Sequence, residues 1–516
     1  MDNVVELFTA QAAERPDTPA IIEGQGRRRR ITTFADLDRQ GAAGAGRLVS
    51  SGIRPGDRVL ILVPVSARLY AVLAAVFRAG AVAVLVDPGA GRARLAESVE
   101  RVNPAAFVGV PKAHLLRLLA RSVRQIPQSF VTDGWLPGAQ RWEGGPPAPA
   151  VPVGREAPAL LTFTSGTTGR PKAAIRTHGL LAAQHAALSR ALDLRPGDID
   201  LCTLPVVVLA NLASGITTVL PDADLRKPGA VDPERLGRQI NQEQPNRCVA
   251  SPAFFERLLT ARGSLDTFRR VDTGGAPVHP DLLARLAEHV PEAVGVYGST
   301  EAEPIAHLDH ADLPAADRQR VAGGEGLPVG TPVSEVALRV VPDAFGRPLG
   351  PFTDDAWDAH ALPAGASGEL VVAGDHVVPG YLDGEGDEET KVRVGDRVWH
   401  RTGDAARLDA DGRLWLLGRA GQGFHTASGV RYPLQVEAAL RHRFGVRAAL
   451  AGVHADGASV DALRLAVEGP LSPAVLEAAR DLGITRVVSV EALPMDRRHN
   501  AKIDRAALET LLDARA

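Results

Sequence analysis

Cysteine is nearly missing from this chain. Cys202 and Cys248 are its only two among 516 residues, and neither belongs to a CxxC or Cys/His cluster. That argues against a disulfide scaffold and a cysteine-bound structural zinc, and points to a reducing compartment. An excess of positive charge is missing too: Lys+Arg 58 against Asp+Glu 61 leaves a formal net charge of -3. A dedicated nucleic-acid binder needs a basic excess to neutralise phosphates, so nucleic acid is not expected as a partner. No apolar run reaches the roughly 18 residues of a membrane span. The opening "MDNVVELFTAQAAERPDTPAII" carries Asp2 and Glu6 where a secretory signal needs a basic and then an apolar segment. We therefore expect a cytoplasmic protein without membrane insertion. A repeat of solenoid period is absent, as are the GxGxxG and GxxxxGK[ST] nucleotide fingerprints.

What is present fits a globular enzyme of more than one domain: 54.3 kDa exceeds what one core organises, and 45% of residues are hydrophobic. "VLILVPV" (Val59 to Val65) has strand length. "SARLYAVLAAVFRAG" then shows helical spacing up to Gly80, and "AVAVLVDPG" reads as a second buried strand. Strand, helix, strand with continuous apolar strands predicts a parallel α/β sheet. Pro137 to Pro158 is rich in Pro, Gly and Ala and reads as a surface linker, while "GRRRR" (Gly26 to Arg30) reads as a solvated hairpin turn. Past about Gly418 short helices alternate with strands, and "DRAALETLLDARA" closes the chain as a helix, predicting a small α+β domain.

One stretch carries chemistry on its face: "LLTFTSGTTGRPKAAIRTHG", Leu160 to Gly179. Gly166 and Gly169 permit a tight backbone whose N–H groups converge. Thr164, Ser165, Thr167 and Thr168 add hydroxyl donors, and Lys172, next to a proline, adds a cation. Such a loop after an apolar strand suits phosphate oxygens; the competing reading is a flexible polar surface loop.

"TFTSGTTGRPK" resembles the phosphate-loop signature of the adenylate-forming superfamily, which includes acyl-CoA synthetases, nonribosomal-peptide adenylation domains and luciferases. Further motifs follow in the family's order. "TGGAPV" is similar to the turn that flanks adenine, here Gly274, Gly275, Ala276 and Pro277. "VYGSTEAEP" is similar to the segment in which Tyr297 stacks on the base, with Gly298 and Ser299 beside it; Thr300 meets the α-phosphate and Glu301 holds magnesium. "HRTGDAARLDADGRLWLLGRA" resembles the stretch whose Asp404 binds the ribose hydroxyls and whose Arg419 closes the first domain. Lys502, in "RRHNAKIDR", takes the place of the family's catalytic lysine. Taken singly each motif reads as a turn, a hairpin or a cap; together they meet what a nucleotide requires.

The resemblance implies an α/β fold. A large N-terminal domain (1–418) of packed α/β sheets with a β-barrel-like part would be hinged at Ala420 or Gly421 to a small α+β domain (419–516) carrying Lys502. It also implies ATP and Mg²⁺ as cofactors and a small-molecule acid, or another oxyanion, that becomes an adenylate with release of pyrophosphate. The acceptor is less settled. Relatives that use coenzyme A carry an Asp or Lys hinge and a following loop like "GGENVYPAEVE"; this chain has Gly421, "GFHTASGVRYPLQVE", and Gln435 where Glu is usual. "DRRHNAKI" is similar to the motif of bacterial β-lactone synthetases, in which the substrate's own β-hydroxyl displaces AMP. Yet "CTLPVVVLANLASG" (Cys202 to Gly215) lacks both that branch's Phe-rich run and the acyl-CoA synthetase His. Thioester formation, nitrite activation for diazotisation of an aryl amine, and a non-catalytic nucleotide-binding module stay open as alternatives.

Overall fold

The computed structural model describes residues 2–86, 91–165, 171–261, 265–426, 429–455, 459–484, 486–494 and 503–514. The chain forms two compact units, Met1–Val271 with Asp375–Asp387, and Asp272–Gly374 with Glu388–Ala516. No described helix is long and apolar enough to cross a membrane.

In the first unit the apolar runs become strands of a seven-stranded sheet. Its order is Gln140–Arg141, Gln128–Val131, Ala106–Gly109, Arg58–Leu62, Val82–Leu85, Pro158–Ser165, Pro171–Thr177. All neighbours are parallel except the last pair. The crossover helix Ala67–Arg78 is capped by the Ser66 hydroxyl and is buried at almost every position, as a helix lying between layers must be. Leu60, Val84, Val99, Phe107 and Leu161 meet in one of its cores. Five further strands of this unit run in the order Arg247–Ala250, Ile199–Cys202, Thr217–Leu220, Pro19–Glu23, Arg30–Thr33. The last two are antiparallel and enclose the arginine run. Arg27 and Arg28 are exposed in that turn as expected, but Arg29 forms a bidentate pair with the buried Glu243 at 2.6 and 2.8 Å. The Pro137 to Pro158 segment runs over the surface as expected, exposed or half-exposed at every position except Trp142, which is 3% exposed and pins it as a strap. A side chain at Gly44 would collide with that indole, and one at Gly46 with the Pro146 carbonyl, so two helical glycines make the groove that takes the strap.

The second unit contains strands ordered Ala337–Val341, Gly368–Ala373, Arg397–Leu408, Leu414–Arg419, Leu327–Pro332, Ala302–Asp309, Glu292–Ser299. The expected barrel-like part is an open sheet: among the described residues Ala337–Val341 is an edge, and no sheet closes on itself. The twelve-residue strand Arg397–Leu408 is its organiser. Arg401 on that strand reaches Glu369 on the next with 2.6 and 3.1 Å contacts, both side chains fully buried. Near the C-terminus, strands Ala448–Ala455, Ser459–Glu468 and Arg486–Val490 form a separate three-stranded sheet. Helices Pro433–Phe444 and Pro473–Asp481 bury Val436, Leu440, Val475 and Ala479 with its Leu450, Leu463 and Leu465. The closing helix Arg505–Asp513 packs Leu508 and Leu512 with Ala449, Ala466 and Val490.

Candidate active site

In the first unit Thr164 and Ser165 end the strand Pro158–Ser165, in register with Lys172 and Pro171 of the returning antiparallel strand. Gly166, Thr167, Thr168 and Gly169, between these strands, lie outside the described residues. Lys172 is 4% exposed. Its ammonium sits 5.7 Å from the Tyr381 ring centre, a distance at which the ring's negative face attracts a cation. Gly386, at φ +92, lies against the lysine stem so closely that a Cβ there would overlap it. Tyr381 and Gly386 belong to the short return segment Asp375–Asp387 of this unit. Nothing local in "VVPGYLDGEG" announces either contact, because both depend on chain positions some two hundred residues from the lysine.

In the second unit two motifs converge on one carboxylate. Tyr297 lies near the end of the strand Glu292–Ser299, and its hydroxyl donates to Asp404 Oδ2 at 2.7 Å. Arg419, opposite Asp404 in the register of the adjacent strand, donates from Nη1 to Oδ1 at 2.6 Å. The Asp404 N–H donates to the Thr402 hydroxyl at 3.1 Å, and that hydroxyl donates to the Leu370 carbonyl at 2.9 Å. Burial and the adjacent carboxylate push the Tyr297 phenol well above its ordinary value, so it remains a donor throughout the working pH range. Both Asp404 oxygens are thus held in place while each retains a lone pair for a further donor.

Thr300 and Glu301 form the two-residue tip between antiparallel strands Glu292–Ser299 and Ala302–Asp309, with Ser299 opposite Ala302. They do not open a helix, which removes the cap reading of "GSTE". Thr300 is exposed and Glu301 half-buried. A Cβ at Gly298 would stand 2.9 Å from the Ala302 carbonyl oxygen, which keeps that position small. Gly274 ends the strand Arg270–Gly274; a Cβ there would stand 2.7 Å from the Val296 carbonyl oxygen, and Gly275 has φ +79. The chain can therefore turn beside Val296 and Tyr297 only with glycines, leaving Gly275 and Pro277 exposed and Ala276 partly so. Lys502 lies outside the described residues.

Sequence reasoning missed Asp343. Its carboxylate accepts the Gly421 N–H at 2.9 and 3.1 Å and the Tyr432 hydroxyl at 2.9 Å. "VPDAFGRP" reads as an ordinary turn, and only the fold brings it to the expected hinge. Gln435, singled out as a departure, accepts the Tyr432 N–H through Oε1 at 2.9 Å and donates from Nε2 to the Gly324 carbonyl at 3.1 Å. A glutamate would reproduce the first bond and lose the second, having no N–H to donate. The departing segment "CTLPVVVLANLASG" contains the helix Pro205–Ser214, pinned by the buried Asn211, which donates to Asp200 at 2.7 Å and Thr218 at 3.2 Å.

A family model of AMP-binding enzymes matches residues 8–382. The olefin beta-lactone synthetase of Stenotrophomonas maltophilia is 34% identical, over 98% of this chain and 97% of that protein. That of Xanthomonas campestris is 32% identical, over 98% and 96%. The solved structure of the amide bond synthetase McbA from Marinactinospora thermotolerans is similar with a TM-score of 0.79, over 98% of this chain and 99% of that one, at 23% identity, a likeness of fold. The chain belongs to the AMP-binding enzyme family and is an ATP-dependent, adenylate-forming ligase.

Proposed function

We propose that the protein activates a 3-hydroxy carboxylic acid as its acyl-adenylate and closes it to a β-lactone, with no coenzyme A. The observation that carries this reading is the near full-length similarity to two olefin beta-lactone synthetases. The departures at Gly421 and Gln435 from the coenzyme A-using pattern support it.

In this reading a carboxylate oxygen of the substrate attacks the α-phosphorus of ATP in line. The bond from that phosphorus to the bridging oxygen breaks, and pyrophosphate leaves. Asp404, fixed by Tyr297 and Arg419, would take the ribose hydroxyls, and Tyr297, Gly298, Ser299 and the Gly274 to Pro277 turn would hold the base. The stretch from Thr164 to Lys172 takes the leaving pyrophosphate, Thr300 donates to the α-phosphate, and Lys502 offsets the charge that builds there. Glu301 is a half-buried carboxylate, and among the described residues no group of three or more His, Cys, Asp or Glu side chains is placed to hold a metal ion. That donor set fits a magnesium ion that keeps waters and arrives with phosphates better than an ion held in a protein cage. Glu301 would hold it, and it would supply charge neutralisation on the phosphate oxygens. The substrate's β-hydroxyl oxygen then attacks the acyl carbon, the bond to AMP breaks, and the hydroxyl proton passes to solvent. An acceptor already tethered to the acyl group gains the large effective molarity of an intramolecular reaction. Residues 419–516 act as a mobile domain that delivers Lys502, hinged at Ala420 or Gly421.

The test is product analysis by mass spectrometry with ATP and a panel of 3-hydroxy acids, with and without coenzyme A. AMP and a dehydrated, cyclised product formed without coenzyme A support the reading. AMP release that depends absolutely on coenzyme A, with an acyl-CoA as product, overturns it. So does turnover only with nitrite and an aryl amine.

A further inference from the structure

Ahead of the first site motif in the chain, the first unit carries a cluster of large apolar side chains in water. Leu115, Leu118 and Leu119, on the short helical turns Ala113–Leu115 and Leu116–Leu119, are 54%, 76% and 59% exposed, and Trp135 is 70% exposed. The two segments are neighbours. Arg117 Nη2 donates to the Gly138 carbonyl at 2.8 Å, and Gly134 lies beside Pro111. Their backbone is also well anchored. The His114 ring is buried against Phe107, with centroids 4.7 Å apart, and its Nε2 lies 3.0 Å from the Phe130 carbonyl. Leu116 packs into the core below. The leucines face water because the turn is fixed that way round and not because the segment is loose.

The surround is basic. Lys112, Arg121 and Arg124 are exposed and Arg117 is half-exposed, and among the described residues no carboxylate pairs with any of the four. The nearby Asp133 is occupied by Arg68 at 3.2 Å. Beside the leucines, Arg117, Arg124, Ser129 and Gln140 line an open depression, a polar seat with two guanidinium groups for a phosphate. Monomeric proteins rarely display large apolar side chains together without a partner. Leucine and tryptophan at a rim of arginine and lysine is the composition that partitions into the headgroup layer of an anionic bilayer. A protein partner would have to offer a pocket for each protruding side chain, whereas a bilayer offers one everywhere.

We propose that the surface formed by residues 111–141 docks the enzyme on anionic lipid. Leu115, Leu118, Leu119 and Trp135 enter the acyl boundary, the cations meet lipid phosphates, and the chain lies on the bilayer without spanning it. This is independent of the acceptor chemistry proposed above, because its readout is lipid binding and not turnover.

Trp135 supplies a built-in probe, since the other four tryptophans, Trp142, Trp357, Trp399 and Trp415, are all buried. The full chain is mixed with phosphatidylcholine vesicles, with or without phosphatidylglycerol, at low and high salt. We expect at least about tenfold stronger co-sedimentation with the anionic vesicles at low salt, weakened by salt. Trp135 emission should shift to the blue and be quenched by brominated acyl chains. Leu118→Ser with Leu119→Ser should lower partition about tenfold, as should Arg121→Glu with Arg124→Glu, while pyrophosphate release with a short soluble acid is retained. Unchanged and unquenched emission from the native chain with anionic vesicles overturns the proposal whatever the variants do. Self-association that the leucine changes abolish, or preferential capture by a purified acidic carrier protein over vesicles, overturns it in favour of a protein partner.

Discussion

Tyr297 and Asp404 stand 107 positions apart in the chain and 2.7 Å apart in the fold. The phenol thus has two separable parts, a ring that in the proposed mechanism faces the base and a hydroxyl that orients the carboxylate. Tyr297→Phe keeps the first and removes the second. A hydrogen bond to a charged group contributes about 1.5–3 kcal/mol, so KM for ATP should rise about tenfold or somewhat more with kcat little changed. Steady-state pyrophosphate release over a range of ATP concentrations measures both, and an unaltered KM would show that Arg419 alone positions Asp404.

In the proposed mechanism Lys502 acts on the transition state and not on ground-state binding. Lys502→Ala should then lower the adenylation rate by at least about a hundredfold with little change in ATP affinity. Single-turnover pyrophosphate release, paired with nucleotide binding by calorimetry, separates the two, and near-normal release removes the lysine from the mechanism.

Glu301→Gln preserves shape at the hairpin tip and removes the charge. Activity should fall and be partly recovered as magnesium is raised, because the neutral amide is a weaker ligand for a hard cation. A magnesium dependence identical to that of the unaltered protein would mean that Glu301 serves the turn alone.

The sequence discloses what is local and leaves out what is folded together. The strand at Val59 to Val65 was legible because an unbroken apolar run must be buried on both faces; it is observed as Arg58–Leu62, ending two residues before Pro64, with Ser66 capping the next helix. Gly418 onward was legible as small α+β from the alternation of its patterns. The hairpin tip at Thr300 and Glu301 was ambiguous, since Ser, Thr and Glu in a row also begin helices. Burial of Ala302, Pro304, Ile305 and Ala306, on a strand paired along both edges, decided for a strand. Tyr381 against Lys172 and Asp343 against Gly421 had no signal at all, being contacts between distant segments whose own composition is that of plain turns.

His178 couples the fold to pH. It is 2% exposed, and its Nδ1 accepts the Val4 N–H at 3.1 Å, so the ring is neutral with its proton on Nε2. Burial lowers it to about 4, against a smaller opposing effect of Glu6. The unfolded chain therefore binds a proton near pH 6.5 that the folded chain refuses until about pH 4, and stability falls as pH drops through that window. The loss is on the order of 2–3 kcal/mol. His178→Gln keeps an acceptor but cannot titrate. The difference between the native and variant melting curves, followed from pH 7 to pH 4.5, should narrow or reverse in favour of the variant; curves that stay parallel would place the proton elsewhere.

The Asp343 clamp bears on the proposed hinge. Gly421 has φ +73, a conformation other residues adopt only with strain, and its N–H is held by the carboxylate that also receives the Tyr432 hydroxyl. Tyr432 is 2% exposed, and burial beside Asp343 pushes its phenol well above the ordinary value, so the bond persists at any working pH. Tyr432→Phe removes it while keeping the ring in its core with Ala405 and Leu417. The bond is charge-assisted but its Asp343 end is exposed, so about 1.5 kcal/mol, roughly tenfold in a local opening equilibrium, is expected. Arg419 and Arg431 flank the segment as tryptic sites, and cleavage there should accelerate by about that factor in the variant. Where cleavage outpaces reclosing, the rate reports opening itself, so the comparison is made at two protease concentrations. Equal cleavage rates at both would show that the Tyr432 hydroxyl has no part in restraining the hinge.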